Sequence, residues 1–95
     1  MRRVARVDSN HAEIVKALRQ YGCSVQSLAA VGQGCPDLAV GRRLCNLLLE
    51  VKDGSKPPSS TRLTTEEINW HASWRGRVVT VYTVEEALEY VRRNV

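Results

Sequence analysis

Apolar residues recur at helical spacing after Asn10: Ile14, Val15, Leu18 and Tyr21 fall on one stripe. Asn10 and Glu13 have the spacing of a capping box, and Gly22 is placed to end that helix. Shorter apolar runs follow. Residues 23–30 read as a strand, and Val31, Gly32, Gln33 and Gly34 as a turn. Residues 36–40 read as a second strand, and Gly41, Arg42 and Arg43 as a hairpin turn. Residues 44–52, rich in Leu, read as a third strand with a polar end. Residues 53–60 carry Gly54, Pro57, Pro58 and several serines, the composition of a loop. Thr64 and Glu67 form a second capping box, opening a helix that runs to about Trp74, and Gly76 follows it. The β-branched run at 78–83 is a strand, and Thr83 with Glu86 opens a last helix with Ala87, Leu88 and Val91 on its apolar stripe. The predicted order is α-β-β-β-α-β-α, an α/β layered fold with a small mixed sheet flanked by helices.

Ninety-five residues fit one domain, taken here as residues 1–95. Such a small core gains from a partner subunit, which raises the expectation of a dimer. The net charge is +4, from fourteen Lys and Arg against ten Asp and Glu, and eleven of the fourteen are Arg. That balance suits a nucleic-acid partner and equally suits plain solubility. Cys23, Cys35 and Cys45 are odd in number and lack CxxC spacing. They argue against a disulfide framework or a zinc ribbon and are read as small core residues. Arg2, Arg3 and Arg6 precede no apolar stretch. Neither a signal peptide nor a membrane span is expected, and the reading is intracellular.

The chemistry concentrates on two neighbouring strands. Side chains two apart in a strand share a face, so Glu50 and Lys52 point the same way. Asp37 opens the preceding strand, so a hairpin brings it to the same end as Glu50. Two carboxylates and an ammonium then converge. Phosphodiester hydrolysis needs a cation that neutralises the phosphate and activates water. Mg²⁺ or Mn²⁺ suits such hard oxygen donors. Asp37 and Glu50 would supply carboxylates, the Val51 carbonyl a third oxygen, and Lys52 a charge to orient water and stabilise the developing anion. Taken alone, an E-x-K triplet is usually solvated surface and a Pro-Asp pair ordinary turn chemistry.

The chain resembles the VRR-NUC family, the virus-type replication-repair branch of the PD-(D/E)XK nucleases. The matching residues are Gly32-Gln33-Gly34-Cys35-Pro36-Asp37-Leu38, then Leu49-Glu50-Val51-Lys52, then Leu63-Thr64 opening a helix. The likeness runs from about Asn10 to Val91 and includes the α-β-β-β-α-β core order. It implies a PD-(D/E)XK restriction-endonuclease-like core and catalytic roles for Asp37, Glu50 and Lys52; a glutamate of the first helix often joins the metal shell of such sites, and Glu13 holds that place, with the capping-box partner of Asn10 as its plainer role. Relatives often carry a Gln in the helix after the Leu-Thr pair, where this chain aligns Glu67.

Other candidates carry less. Trp70 and Trp74 share a helix face and suit core or a subunit contact. His71, flanked by them, is a candidate contact to DNA or the site, though a lone His on such a helix is more often structural. Lys56 and Arg62 are candidate phosphate contacts, while Arg42 and Arg43 lie at the far end of the hairpin. Stand-alone members of the family resemble phage-encoded resolvases that cut branched DNA as homodimers, which would place the protein in a bacterial host's cytoplasm. The expectation is therefore a metal-dependent endodeoxyribonuclease acting on branched DNA, a Holliday junction resolvase. The alternatives are a flap, nicking or restriction-type endonuclease and a non-catalytic DNA-binding module on the same fold.

Overall fold

In a computed structural model that describes residues 9–95, the chain forms a four-stranded mixed sheet with helices. Its elements are α1 (His11–Gln20), β1 (Ser24–Ser27), β2 (Leu38–Arg42), β3 (Cys45–Val51), α2 (Pro58–Thr61), α3 (Thr65–Ser73), β4 (Val78–Val81) and α4 (Val84–Asn94). The strands lie in the order β1-β2-β3-β4. The first two pairings are antiparallel and β3 with β4 is parallel. The element order is the predicted one, with the short α2 added at the end of the proline loop. Arg2, Arg3 and Arg6 lie outside the described residues. No helix among the described residues is long and apolar enough to cross a membrane.

Strand alternation sorts the sheet into two unlike faces. Leu38, Val40, Leu47, Leu49, Val51 and Val81 are buried on one face, against Ile14 and Leu18 of α1 and Ala87 and Val91 of α4. Full burial of each such side chain contributes about 1.5–3 kcal/mol. The residues between them, Leu48 and Glu50 on β3, face the other way, where α3 covers part of the sheet.

Several local expectations need correction. Asn10 starts α1 but makes no side-chain cap bond. Its Nδ2 instead donates to the carbonyls of Lys52 and Tyr82, both at 3.1 Å, so it ties the helix start to the ends of β3 and β4. Gly22 does end α1: with φ +100° it lets its own N–H reach Arg19 and the Cys23 N–H reach Leu18, a Schellman arrangement. Tyr21 stands at the margin of the stripe, under the Arg42 guanidinium 4.5 Å from its ring centroid.

The hairpin turn is Arg43-Leu44, not Gly41 to Arg43, because Arg42 pairs with Cys45. Val40 and Leu47 must meet on the buried face, and that pairing carries the ladder past Gly41. Both turn residues take positive φ, 52° and 66°, as two-residue hairpin turns of type I′ require. Cys45 beside this turn is exposed, so the core role holds for Cys23 and not for Cys45. The first strand ends at Ser27, well short of the expected extent, since Leu28 to Gly34 turn back toward β2.

Asp53 follows the polar end of β3 and is buried. It accepts from Ser9 through one oxygen and from the Ser55 N–H and hydroxyl through the other. These bonds pull its carboxyl down to about 2. A depressed carboxyl contributes stability above the unfolded value of about 3.9 and loses it as pH falls through the folded one.

Gly34 explains how α3 is seated. It has φ +83°, and a Cβ there would lie 2.4 Å from the Glu66 carbonyl oxygen and 3.1 Å from the Glu67 nitrogen. The loop before Asp37 therefore packs backbone to backbone on the first turn of α3. Gly34→Ala is expected to destabilise the protein by roughly 1–3 kcal/mol through the forced left-handed backbone alone, and more if α3 is pushed off. A urea midpoint that falls with an unchanged slope would register this; an unchanged midpoint would show that α3 is not held by this contact.

Candidate active site

Asp37 is the residue just before β2, and it lies one step beyond the Leu38–Leu49 pair, opposite Glu50. Its backbone carbonyl accepts from Leu28 at 2.7 Å. Its side chain takes over where the ladder stops: Oδ2 accepts the Val51 N–H at 2.7 Å. The N–H and C=O of one strand residue point to the same edge, so the Val51 carbonyl is directed to the side that Asp37 occupies.

Glu50 is 3% exposed and sits in hydrogen-bonding contact with the Asp37 carboxyl. Burial first, then the Asp37 hydrogen bond and the charges of Asp37 and Glu67, push the Glu50 carboxyl up to about 9, against a smaller pull from Lys52. Cys35 stands nearby: burial, then the charges of Glu50 and Asp37, hold its thiol above the ordinary range.

Lys52 Nζ lies 4.0 Å from Glu50 Oε2 and 3.0 Å from Glu67 Oε1. The second contact comes from the start of α3. Thr64 Oγ1 accepts the Glu67 N–H, and Glu67 Oε1 accepts the Thr64 N–H at 2.8 Å, so both halves of the predicted capping box are present. The same oxygen that caps the helix also holds the lysine. Burial would raise the Glu67 carboxyl, but the Thr64 N–H and Lys52 outweigh it and keep it below the usual value.

Of the other sequence candidates, Glu13 is exposed on α1. Lys56 and Arg62 are exposed on the segment between β3 and α3. Arg42 and Arg43 are at the opposite end of the hairpin, as expected. Trp70 and Trp74 stack at 4.6 Å and 18°, and Trp74 remains 46% exposed. A groove of about 460 Å³ lies on the same sheet face, lined by residues including Gln26, Ala39, Leu48, Trp74 and Arg77, beside the carboxylates and not over them.

His71 is the residue that sequence reasoning undervalued. Its Nε2 stands 3.8 Å from Glu50 Oε1. Burial lowers its basicity, with Glu67 opposing and Lys52 adding to the effect. The available signal was its position four residues after Glu67, on the same helix face.

Among the described residues no three His, Cys, Asp or Glu side chains form a ready-made metal cluster. The oxygen donors at hand are two carboxyl groups and a carbonyl edge, beside a lysine. Comparison of the chain with family models, with curated proteins and with solved structures finds no match.

The Glu50 proton makes a pH prediction. Its folded value lies above the unfolded value of about 4.3. The stabilising contribution is therefore full below about 4 and is lost as pH rises toward 9. Metal-free protein should grow less stable across that interval, and Glu50→Gln should flatten the dependence. Thermal melting at a series of pH values in EDTA tests this; equal slopes for both proteins would mean that Glu50 is already ionised.

Proposed function

We propose that the chain is a divalent-metal-dependent endodeoxyribonuclease with a PD-(D/E)XK core, hydrolysing phosphodiester bonds in branched DNA. The observation that carries this reading is the contact between the Asp37 and Glu50 carboxyl groups at the ends of β2 and β3, with Val51 and Lys52 next in line. The sheet order, with an antiparallel hairpin followed by a parallel β4, is in keeping with that core.

The residues fit a hard divalent cation. Glu50 is buried against the half-buried Asp37 carboxyl, and its Oε1 has no hydrogen-bond partner among the described residues, so a cation there would offset charge that the protein leaves uncompensated. Asp37, Glu50 and the Val51 carbonyl would hold Mg²⁺ or Mn²⁺, which keep several waters at such sites. When bound, the ion supplies charge to neutralise the phosphate and to acidify a water. Lys52 then places a positive charge beside the attacking water and stabilises the negative charge that develops on the phosphate. Glu67 holds that ammonium in place. Lys56 and Arg62 offer exposed charges to the DNA backbone.

Replacing Asp37 with Asn or Glu50 with Gln should abolish cleavage of a four-way junction in Mg²⁺ or Mn²⁺. Lys52→Ala should still bind DNA and cut at least about a hundredfold more slowly, the loss that fits one missing transition-state contact. Assays with a junction and a matched linear duplex, each with and without EDTA, test the reading. Undiminished cutting by either carboxylate variant would remove the assignment. Faster cutting of linear or flapped DNA would favour a flap or restriction-type enzyme.

A junction needs two incisions, and a two-fold dimer would supply two equivalent sites. The exposed Trp74 and Ile68 on α3 are apolar surface suited to such a contact. Light scattering should give about twice the chain mass of 10.6 kDa, and a cruciform plasmid should be linearised within one encounter. A monomer that leaves only nicked plasmid would restrict the activity to nicking or flap cutting.

A further inference from the structure

Helix α3 meets the end of β3 through side chains of matched spacing. Residues four apart in a helix share a face at about 6 Å, and residues two apart in a strand share a face at about 6.6 Å. Glu67 and His71 are four apart on α3, and Glu50 and Lys52 are two apart at the end of β3. The pairs meet in register. Glu67 takes Lys52 at 3.0 Å, and His71 faces Glu50 at 3.8 Å.

The two contacts differ in one respect. Glu67 and Lys52 are hydrogen-bonded. His71 Nε2 and Glu50 Oε1 are both buried, and neither has a hydrogen-bond partner among the described residues. A separation of 3.8 Å is too long for a hydrogen bond, so the two atoms stand close but unbonded. A buried polar oxygen without a donor is costly. From α3, Glu67 also acts on Glu50, but a carboxylate brings no N–H, and the imidazole nitrogen at 3.8 Å from Oε1 does.

We infer that His71 is a positioning residue for Glu50: its Nε2–H donates to Glu50 Oε1 when a divalent cation is held there, fixing the carboxylate's orientation and leaving its remaining lone pairs for the ion. The inference rests on the nuclease reading and adds a partner outside its metal ligands. Groups that hydrogen-bond a metal ligand in this way commonly change metal affinity by about 10- to 100-fold when removed.

Mn²⁺ binding to the whole chain, followed by electron paramagnetic resonance, tests it without reference to cleavage. His71→Ala should weaken Mn²⁺ binding about tenfold or more. His71→Gln, whose amide N–H can donate to the same oxygen, should recover most of the loss. The wild-type spectrum should show no imidazole-nitrogen coupling to the ion. Wild-type affinity in the Ala variant, equal weakness in Ala and Gln, or a nitrogen coupling that disappears in His71→Gln would each overturn the positioning role and leave the nuclease reading standing. A wild-type protein that does not bind Mn²⁺, or an Asp37→Asn variant that binds it equally well, would remove that reading and this inference together.

Discussion

The contact between Asp37 and Glu50 sets the terms for everything around it. Burial and the neighbouring charges of Asp37 and Glu67 push the Glu50 carboxyl well above its ordinary range. Such a pair persists because the backbone fixes it. Asp37 is anchored through its main-chain carbonyl to Leu28 and through its side chain to the Val51 N–H. Glu50 is fixed by the ladder of β3, whose alternate residues Leu47, Leu49 and Val51 are buried in the core. Any slip of this register by one residue would exchange Glu50 with a core leucine or valine, so core packing and site geometry are the same constraint.

Beside that pair, α3 contributes Glu67 and His71. Its seat is a glycine without a side chain, Gly34, whose loop leads directly into Asp37. Its first turn is closed by the Thr64–Glu67 capping box, and Glu67 uses one oxygen both to finish the helix and to hold Lys52. Helix stability and lysine placement are coupled through that atom. On the other side, Asn10 ties α1 to the carbonyls of Lys52 and Tyr82, so the backbone at the site is held from both faces of the sheet.

The positive charge of the chain is less available than its total implies. Arg42 lies over Tyr21, Arg92 and Arg93 share Glu89, and Arg19 and Arg77 bond backbone carbonyls. Exposed pairs of this kind contribute little to stability, but they set how the guanidinium groups are oriented at the surface. A contact with a polyanion would therefore compete with existing partners at those positions.

The sequence by itself determined the element order, because periodicity and capping depend on neighbours a few residues apart. The Thr64–Glu67 box, the Gly22 stop and the alternation along β3 are local and were legible. It also determined that Asp37, Glu50 and Lys52 come to one end of a hairpin, since strand geometry leaves little choice. The turn position was not legible, because burial of Val40 against Leu47 outranked the turn preference of Gly41. The role of Asn10 was not legible either, because its partners are more than forty residues away and compete with the local cap. Only the tertiary structure decided that α3 crosses the end of β3, and with it that Glu67 meets Lys52 and His71 meets Glu50. That crossing depends on the close approach of the Gly34 loop to the Glu66 and Glu67 backbone, a contact between distant segments that leaves no periodic trace in either one.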